Sequence, residues 1–235
     1  KIVHISDLHN KEFGKNQQNI KAKIKEINPD IIVITGDIID SYDTNVQISA
    51  DFINGISKIA PVYYVTGNHE SRILDDYVSL KTQMQTAGIH VLENEFITIS
   101  NGNDKINIIG INDPSFDFFK LTGSTDEEIV ATNLNGLTED LKGYNILLSH
   151  RPELIDIYAS FNINLVFSGH AHGGQIRIPF IGGIIAPNQG LFPKYTSGLY
   201  EVKNTKMVVS RGLGNSAFPI RINNRPEIVV VRFKK

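Results

Sequence analysis

The sequence contains no cysteine. Disulfides, thiolate metal sites and cysteine nucleophiles are therefore excluded, and any metal must be held by His, Asp, Glu, Asn or water. The sequence also lacks an apolar run that approaches the roughly 20 residues of a membrane span. It shows no internal repeat, low-complexity tract or linker, and 235 residues suit one α/β domain. We therefore expect a single domain over residues 1–235.

The chain carries little net charge, −2 from 23 Lys and Arg and 25 Asp and Glu. This balance lacks the basic footprint of a dedicated nucleic-acid binder, so a nucleic-acid partner is not favoured. The 41% of hydrophobic residues suffices for a core, which argues against disorder. Small or polyanionic substrates stay open, because metal ions can focus charge locally.

Short apolar runs alternate with amphipathic stretches in the first part of the chain. Strands are predicted at residues 2–6, 31–35 and 62–66, and helices at residues 16–27, 48–59 and 73–87. This alternation predicts a parallel sheet with helices on its faces. Further on, helices are predicted at 127–134 and 153–158, and strands at 96–99, 106–110, 146–149, 165–168, 199–202, 207–210 and 228–233.

Five polar motifs follow predicted strands, where the sites of open α/β sheets form. They are Asp7-Leu8-His9, Gly36-Asp37-Ile38-Ile39-Asp40, Gly67-Asn68-His69-Glu70, Ser149-His150 and Gly169-His170-Ala171-His172-Gly173-Gly174-Gln175. Each motif alone is weak, since a lone histidine is more often a core or surface residue and Gly-Asp is often a plain turn. Their joint position after strands favours one shared site.

The residue types in these motifs suit a pair of divalent metal ions. Two cations about 3.5–4 Å apart can clamp a phosphate and generate a hydroxide nucleophile. One carboxylate must bridge the ions, and imidazoles and carboxylates suit Mn, Fe, Ni, Co and Zn. The expected cofactors are therefore two divalent ions, with Mn, Fe or Zn favoured, and the expected substrate is a phosphate ester.

The ordered motifs resemble those of the calcineurin-like metallophosphoesterase superfamily: D-x-H, G-D-x-x-D, G-N-H-[DE], a lone H and G-H-x-H. All five are intact, and they extend over residues 7–172. The resemblance implies a sandwich of two mixed β-sheets flanked by helices (α-β-β-α), with a dinuclear site at the loop end. It also implies hydrolysis of a phosphate monoester, diester or pyrophosphate by a metal-bound hydroxide.

The resemblance assigns roles to individual residues. The first metal is expected to bind Asp7, His9 and His172, and the second metal Asn68, His150 and His170, with Asp37 bridging both. His69 would lie over the scissile phosphate without binding metal, and Asp40 would orient it. Three further side chains are candidates for substrate contacts: Asn10, from its adjacency to the first motif, and Arg211 and Arg221, because guanidinium groups bind phosphate well.

The C-terminal part resembles a bacterial branch of membrane-anchored or exported phosphoesterases. The similarity lies in the motif at residues 169–175 and four other segments. These are its continuation Ile176-Arg177-Ile178-Pro179, and then Ser210-Arg211-Gly212, Phe218-Pro219-Ile220-Arg221 and Arg225-Pro226-Glu227. Some relatives of that branch are similar to enzymes that cleave the pyrophosphate of UDP-diacylglucosamine, and others are linked to the cell wall. The branch implies a lipid-linked or cell-envelope substrate.

Two further features of the sequence concern membrane association. The chain begins at Lys1 directly before the first motif, which fits either a trimmed chain or a removed signal or anchor. A membrane-anchored or exported domain is slightly favoured, with a cytoplasmic location as the alternative. Residues 179–193 are rich in apolar side chains, which fits either an ordinary packed loop or a lip that touches lipid.

Three readings of function stay open. In the first the chain is a hydrolase; Ser41-Tyr42 after Asp40 argues against a protein phosphatase, which usually has Arg there. In the second the chain is a scaffold without turnover, although scaffolds usually lose metal ligands. In the third it is a module that binds cell-wall polymer or lipid headgroups. The His69→Ala substitution separates the first from the third, because only hydrolysis needs His69. The sequence does not address the oligomeric state.

Overall fold

The computed structural model of the chain describes residues 1–101, 104–215 and 220–233. Phe218 and Pro219, part of the C-terminal motif, lie outside the described residues. The strands are β1 (Ile2–Ile5), β2 (Ile31–Thr35), β3 (Val62–Val65), β4 (His90–Val91), β5 (Glu95–Asn101), β6 (Asp104–Gly110), β7 (Tyr144–Leu148), β8 (Leu165–Ser168), β9 (Arg177–Ile178), β10 (Gly182–Gly183), β11 (Ile185–Ala186), β12 (Gly190–Leu191), β13 (Gly198–Val202), β14 (Thr205–Val209) and β15 (Val229–Val231). The α-helices are α1 (Gln18–Ile27), α2 (Val46–Ile56), α3 (Asn68–Arg72), α4 (Leu74–Thr86), α5 (Asp126–Thr138) and α6 (Ile155–Tyr158).

Eleven of these strands form two large mixed sheets. The first has the order β15-β1-β2-β3-β4, in which β1 to β4 are parallel and β15 pairs antiparallel with β1. The second has the order β13-β14-β8-β7-β6-β5, with antiparallel strands at both edges of a parallel centre. The predicted sandwich of two mixed sheets flanked by helices is confirmed.

Alternate residues of the central strands face different layers, because successive strand side chains point to opposite faces. Val33 of β2 packs between the sheets with Phe167 of β8, whereas Ile32 faces α1, α2 and α4 on the outer side. On the second sheet, Leu147 packs outward with residues of α5 and α6. Since both faces of these strands are buried, their sequences are apolar throughout.

Two of the predicted helices begin with a backbone conformation that the sequence pattern did not predict. Residues 16–27 do not form one helix, because Asn16 and Gln17 adopt left-handed backbone angles and α1 begins at Gln18. The buried Gln17 amide bonds the carbonyl of Lys11 and the N–H of Phe13 instead. The helix predicted at 73–87 is preceded by α3, and the two are separated at Ile73, whose φ is −133°.

The segment between β8 and β13 forms two short hairpins, β9–β10 and β11–β12. We call residues 177–193 the lip. Phe180 is fully exposed there, and Leu191 and Phe192 are about two-thirds exposed. In the described parts of the chain, no helix combines the length and apolar character that a membrane crossing requires.

Candidate metal centre

All five motifs meet where the carboxyl ends of the two parallel sheet centres come together. The turns after β1, β2 and β8 place ligand candidates in the left-handed region, which is uncommon for residues other than glycine. The values of φ are 52° at Asp7, 46° at His9, 51° at Asp37, 65° at His170 and 46° at His172. These tight turns direct each side chain back over the sheet edge, and such strained positions concentrate at functional sites.

Asp7, His9, Asp37 and His172 form one buried group, in which ligand atoms of all four lie within 4.8 Å of one another. Nε2 of His172 is 3.2 Å from Nε2 of His9 and 3.4 Å from Oδ1 of Asp7. Nε2 of His9 lies 3.6 Å from Oδ2 of Asp37. Two imidazoles and two carboxylates that converge on one point could hold a divalent transition-metal ion.

Asp37, His150 and His170 form a second buried group with the same spacing limit. Nε2 of His150 is 3.2 Å from Oδ2 of Asp37 and 3.1 Å from Nδ1 of His170. Asp37 belongs to both groups, and its other oxygen, Oδ1, accepts a hydrogen bond of 2.8 Å from the N–H of His69. This carboxylate is therefore fixed with Oδ2 between the two groups of ligands.

The outer nitrogens of the second group fix the direction of the inner lone pairs. His150 donates from Nδ1 to the carbonyl oxygen of Thr35 at 2.6 Å, and His170 donates from Nε2 to Oδ1 of Asn188 at 3.1 Å. When both rings are neutral, their protons are on the outer nitrogens and the inner nitrogens face each other as lone pairs. Two lone pairs 3.1 Å apart repel unless a cation or proton lies between them. The donor set therefore fits a metal ion.

Asn68 provides an independent sign of a ligand position. Its side-chain oxygen Oδ1 is buried without a hydrogen-bond partner among the described residues, although Asn68 lines an open cleft that also contains Asp37 and His170. An unpaired buried carbonyl costs about 1–3 kcal/mol. A cation bound at the cleft would satisfy this oxygen, because amide oxygens are good ligands for divalent ions.

The close approach of buried carboxylates and imidazoles shifts the pKa values of these side chains. Burial lowers the pKa of His150, but the carboxylates of Asp37 and Asp7 outweigh burial and raise that pKa to about 10. Burial raises the pKa of Asp37, but His150, His69 and His9 outweigh burial and bring it well below its usual range. Burial above all raises the pKa of Asp7. The neighbouring carboxylates thus favour positive charge at the point where the geometry offers a cation site.

His69 lies at the edge of the cleft with its ring held by the loop after β2. Its Nδ1 accepts a hydrogen bond of 3.0 Å from the N–H of Ser41, and the hydroxyl of Ser41 lies 3.1 Å away. Oδ1 of Asp40 is farther, at 3.6 Å from Nδ1, and Oδ2 of Asp40 is 3.5 Å from Nδ1 of His9. Asp40 thus lies between the two histidines, and the nearest partner of His69 is Ser41.

Two residues that position the site had no predicted role. Glu70 is fully buried, and its carboxylate accepts hydrogen bonds from the N–H groups of Gly67, Asp37 and Ile38 at 2.8–3.0 Å. It fastens the turn after β2 to α3, and its place in Gly-Asn-His-Glu could have indicated this. Asn188 lies in the lip, 18 residues beyond the histidine that it contacts, and no sequence signal marked it.

The three predicted substrate contacts do not line the cleft. Asn10 donates to the carbonyl of Asp43 and accepts from the hydroxyl of Ser49, so both polar atoms are engaged in the scaffold. Arg211 approaches Glu227, with Nε 3.5 Å from Oε2. Arg221 donates to backbone carbonyls and lies behind His172, with Nη2 3.3 Å from Nδ1 of His172. These positions suit support of the site and argue against direct contact with phosphate.

The profile of the calcineurin-like phosphoesterase family matches residues 1–174, which contain all five motifs. The chain belongs to the calcineurin-like phosphoesterase family. The expected superfamily is thereby confirmed, and the chain carries the candidate ligand groups of a metal-dependent phosphoesterase.

Two bacterial proteins are similar to nearly the whole chain. The uncharacterized metallophosphoesterase YkuE of Bacillus subtilis is 34% identical over 239 residues, which cover 100% of this chain and 79% of YkuE. Phosphodiesterase YaeI of Escherichia coli is 26% identical over 237 residues, 98% of this chain and 81% of YaeI. The crystal structure of TT1561 of Thermus thermophilus shares the fold, with a TM-score of 0.57 at 13% identity over 90% of this chain and 88% of TT1561.

Proposed function

We propose that this chain hydrolyses a phosphodiester or pyrophosphate at a centre of two divalent metal ions. The observation that carries the proposal is the shared carboxylate of Asp37, which belongs to both buried ligand groups. A carboxylate that bridges two ions is what a two-metal phosphoesterase requires. The phosphodiesterase YaeI, 26% identical, supports the same class of reaction.

The proposed ligands follow the two groups. One ion would be held by Asp7, His9 and His172, the other by Asn68, His150 and His170, and both by Asp37. Bound ions supply Lewis-acid stabilisation of the phosphate oxygens and lower the pKa of water so that it becomes a nucleophile. Mn is our choice for assays, because imidazole and carboxylate ligands accept it.

His69 is proposed to protonate or hydrogen-bond the leaving oxygen. Because its Nδ1 accepts from the N–H of Ser41, the neutral ring carries its proton on Nε2. A proton at Nε2 can be donated to the oxygen that develops charge as the ester bond breaks. Asp40, 3.6 Å from Nδ1, would limit rotation of the ring.

The test is hydrolysis by metal-stripped protein reloaded with Mn²⁺. Substrates are p-nitrophenyl phosphate, bis-p-nitrophenyl phosphate and a UDP-linked acyl sugar. We expect metal-dependent turnover that Asp37→Asn abolishes and that His69→Ala lowers by roughly 10²–10⁴-fold. Asp76→Asn, at an exposed position on α4, is the matched control and should retain full activity. Bound metal should be about two equivalents per chain.

Absence of turnover with two equivalents of metal bound would reject the hydrolase for these substrates and favour the binding-module alternative. In that case cell-wall polymer or lipid headgroups should still bind, and His69→Ala should bind equally well. A protein that purifies without metal and takes up none would instead support the scaffold.

We further propose that the substrate is lipid-linked. Pro187 and Asn188 of the lip line the cleft over the ligand groups, and the same lip exposes Phe180, Leu191 and Phe192. Residues 157–200 contain two basic side chains and no Asp or Glu, so the apolar surface carries no charge that an anionic membrane would repel. A substrate at a membrane surface, as in the membrane-anchored branch, would meet both the lip and the cleft.

Contact between the lip and lipid is tested by comparing the hydrolysis of a lipid-linked substrate with that of a soluble one. Phe180→Ser combined with Phe192→Ser should lower hydrolysis of the UDP-linked acyl sugar in vesicles far more than hydrolysis of soluble bis-p-nitrophenyl phosphate. Val78→Ser, which removes an exposed apolar side chain from α4, is the control. Equal effects on both substrates would reject a lipid-contacting lip.

A further inference from the structure

The cleft over the metal ligands is bordered by three cationic side chains, Arg72, Lys120 and Arg151, and has a volume of about 410 Å³. Two of these cations are engaged by carboxylates. Arg151 is buried and makes two hydrogen bonds, of 2.5 and 2.8 Å, to the carboxylate of Asp113. Lys120 pairs with Asp126. Their charges are largely neutralised within the protein.

Arg72 differs from the other two. Within the ranges that the structure describes, its guanidinium forms no ion pair with a carboxylate. Its contacts are with Tyr42: the guanidinium carbon lies 5.9 Å from the ring centroid, and Nη1 lies 3.4 Å from the phenol oxygen. An arginine that stacks on an aromatic ring keeps its hydrogen-bonding edges available to an anion. The cleft thus holds one cation whose charge is not compensated.

Tyr42 connects this cation to the reaction site. Its ring meets the ring of His69 edge to face, with centroids 5.6 Å apart, yet the residue is 68% exposed. His69, Tyr42 and Arg72 therefore form a continuous wall that leads from the reacting centre toward solvent. Because His69 is assigned to the leaving oxygen, this wall lies on the side where the leaving group departs.

We propose that Tyr42 and Arg72 form a subsite for a phosphate carried by the leaving group, so that the favoured substrates are pyrophosphate diesters. The inference rests on the proposed hydrolase and names its substrate class. In the reaction, water adds its oxygen to the attacked phosphorus, and the P–O bond to the second phosphate breaks. The second phosphate leaves with the bridging oxygen, and the protons of water pass to the phosphate products and solvent.

The physical reason is the change of charge during the reaction. The leaving group of a simple diester carries no phosphate: an alcohol offers Arg72 no anion, and p-nitrophenolate carries its charge on the leaving oxygen itself, which is assigned to His69. The leaving group of a pyrophosphate diester is a phosphate monoester whose negative charge grows as the bond breaks. A cation at that position binds the transition state more strongly than the ground state and therefore accelerates the reaction. Tyr42 holds the guanidinium in place and offers a face to the group attached to this phosphate.

The test compares P1,P2-diadenosine pyrophosphate with bis-p-nitrophenyl phosphate, using the Mn²⁺-loaded chain. We expect Arg72→Gln to lower kcat/KM for the pyrophosphate at least tenfold more than for the simple diester. Arg72→Lys should restore part of the selectivity, because it returns the charge. Arg232→Gln, at an exposed position on the C-terminal segment, is the matched control and should leave the ratio unchanged.

Product inhibition gives a second readout that does not depend on pyrophosphate turnover. AMP should inhibit hydrolysis of bis-p-nitrophenyl phosphate, and Arg72→Gln should raise its inhibition constant about tenfold. Adenosine, which lacks the phosphate, should inhibit weakly and equally in both proteins. Tyr42→Leu should weaken inhibition by AMP as well, whereas Tyr42→Phe, which keeps the ring, should weaken it less.

Each outcome separates this inference from the function on which it rests. Turnover of bis-p-nitrophenyl phosphate without any preference for the pyrophosphate, or an equal loss on both substrates in Arg72→Gln, would overturn the subsite and leave the hydrolase intact. No metal-dependent turnover of either substrate would overturn both. A selective loss on the pyrophosphate with weaker binding of AMP would establish the subsite.

Discussion

Single residues outside the two ligand groups, acting through a backbone carbonyl or a side chain, determine which histidine nitrogens face the centre. Thr35 and Asn188 accept the outer protons of His150 and His170, so the inner nitrogens present lone pairs. Arg221 contacts the outer nitrogen of His172. Such supporting contacts tune metal affinity because they fix the tautomer and the orientation of the ring.

Replacement of Asn188 by alanine should weaken metal binding at the second group. The outer proton of His170 would lose its acceptor, and the ring could rotate or change tautomer. We expect a loss of roughly 10–100-fold in the affinity for one of the two Mn²⁺ ions. Isothermal titration of the stripped protein measures this loss, and Asn54→Ala, exposed on α2, is the control. Two unchanged binding steps in the variant would contradict the role.

His4 should make the protein sensitive to acid. It is buried between the sheets, and burial lowers its pKa to about 3. The unfolded chain gains a proton at His4 below about pH 6.5, whereas the folded chain does not until about pH 3, so stability falls as pH falls between those values. One such proton changes the free energy of unfolding by up to about 1.4 kcal/mol per pH unit.

Urea unfolding at pH 6.5, 5.5 and 4.5 tests this assignment. His4→Gln can keep a hydrogen bond to the hydroxyl of Thr35, 2.8 Å from Nε2 of His4, but it cannot titrate. The variant should therefore show a shallower loss of stability toward acid than the unchanged protein. Parallel slopes for the two proteins would assign the acid sensitivity to other groups.

At the scale of elements, the short helix α3 carries Asn68 and His69 to the site, although five residues form too little helix to be stable alone. The carboxylate of Glu70 holds α3 against the turn after β2 by accepting three backbone N–H groups. Gly36 and Gly67 allow this contact, because a Cβ at either position would collide with the other turn. The element is thus stabilised by tertiary contacts.

Glu70→Ala should destabilise this connection strongly. It leaves three buried N–H groups without acceptors, and each costs about 1–3 kcal/mol, so a loss of roughly 3 kcal/mol or more in the free energy of unfolding is expected. Glu70→Gln keeps an acceptor and should lose less. Urea unfolding of the stripped proteins measures both, with Glu139→Ala, exposed after α5, as control. Equal stability of Glu70→Ala and Glu139→Ala would contradict the fastening role.

At the scale of the whole molecule, the candidate metal centre lies between the two sheets. The first sheet supplies the turns after β1, β2 and β3, and the second sheet supplies the turns after β7 and β8. Each proposed group combines ligands from both sheets, with His172 joining the first group and His150 and His170 the second. Bound ions would therefore link the sheets as well as serve catalysis.

Removal of metal should lower the melting temperature. A ligand that binds only the folded state at 1,000 times its Kd stabilises that state by about 4.1 kcal/mol. For a chain of this length each kcal/mol shifts Tm by about 2–4 °C, so a difference of roughly 8–16 °C between Mn²⁺-loaded and EDTA-treated protein is expected. Calorimetry measures the shift, which should shrink in Asp37→Asn. An equal shift in the variant would contradict the bridging role.

The sequence by itself determined the class of fold and the set of ligand candidates. Apolar strands alternate with amphipathic helices, and the motifs directly follow β1, β2, β3, β7 and β8, so their convergence follows from the topology of parallel strands. Local backbone conformation could not be predicted from the sequence in the same way. The left-handed turn at Gln17 and the break at Ile73 depend on hydrogen bonds and packing that local periodicity does not encode.

Only the tertiary structure decided which side chains support and border the site. His150 and Thr35 are 115 positions apart, and Tyr42 and Arg72 are 30 apart, so no local pattern predicts their contacts. Asn10, Arg211 and Arg221, which the sequence offered as substrate contacts, do not line the cleft in the structure. The types of ligand side chain can be identified from short motifs because their chemistry is local. The orientation of these side chains and the choice of substrate depend on contacts that form only when distant segments pack together.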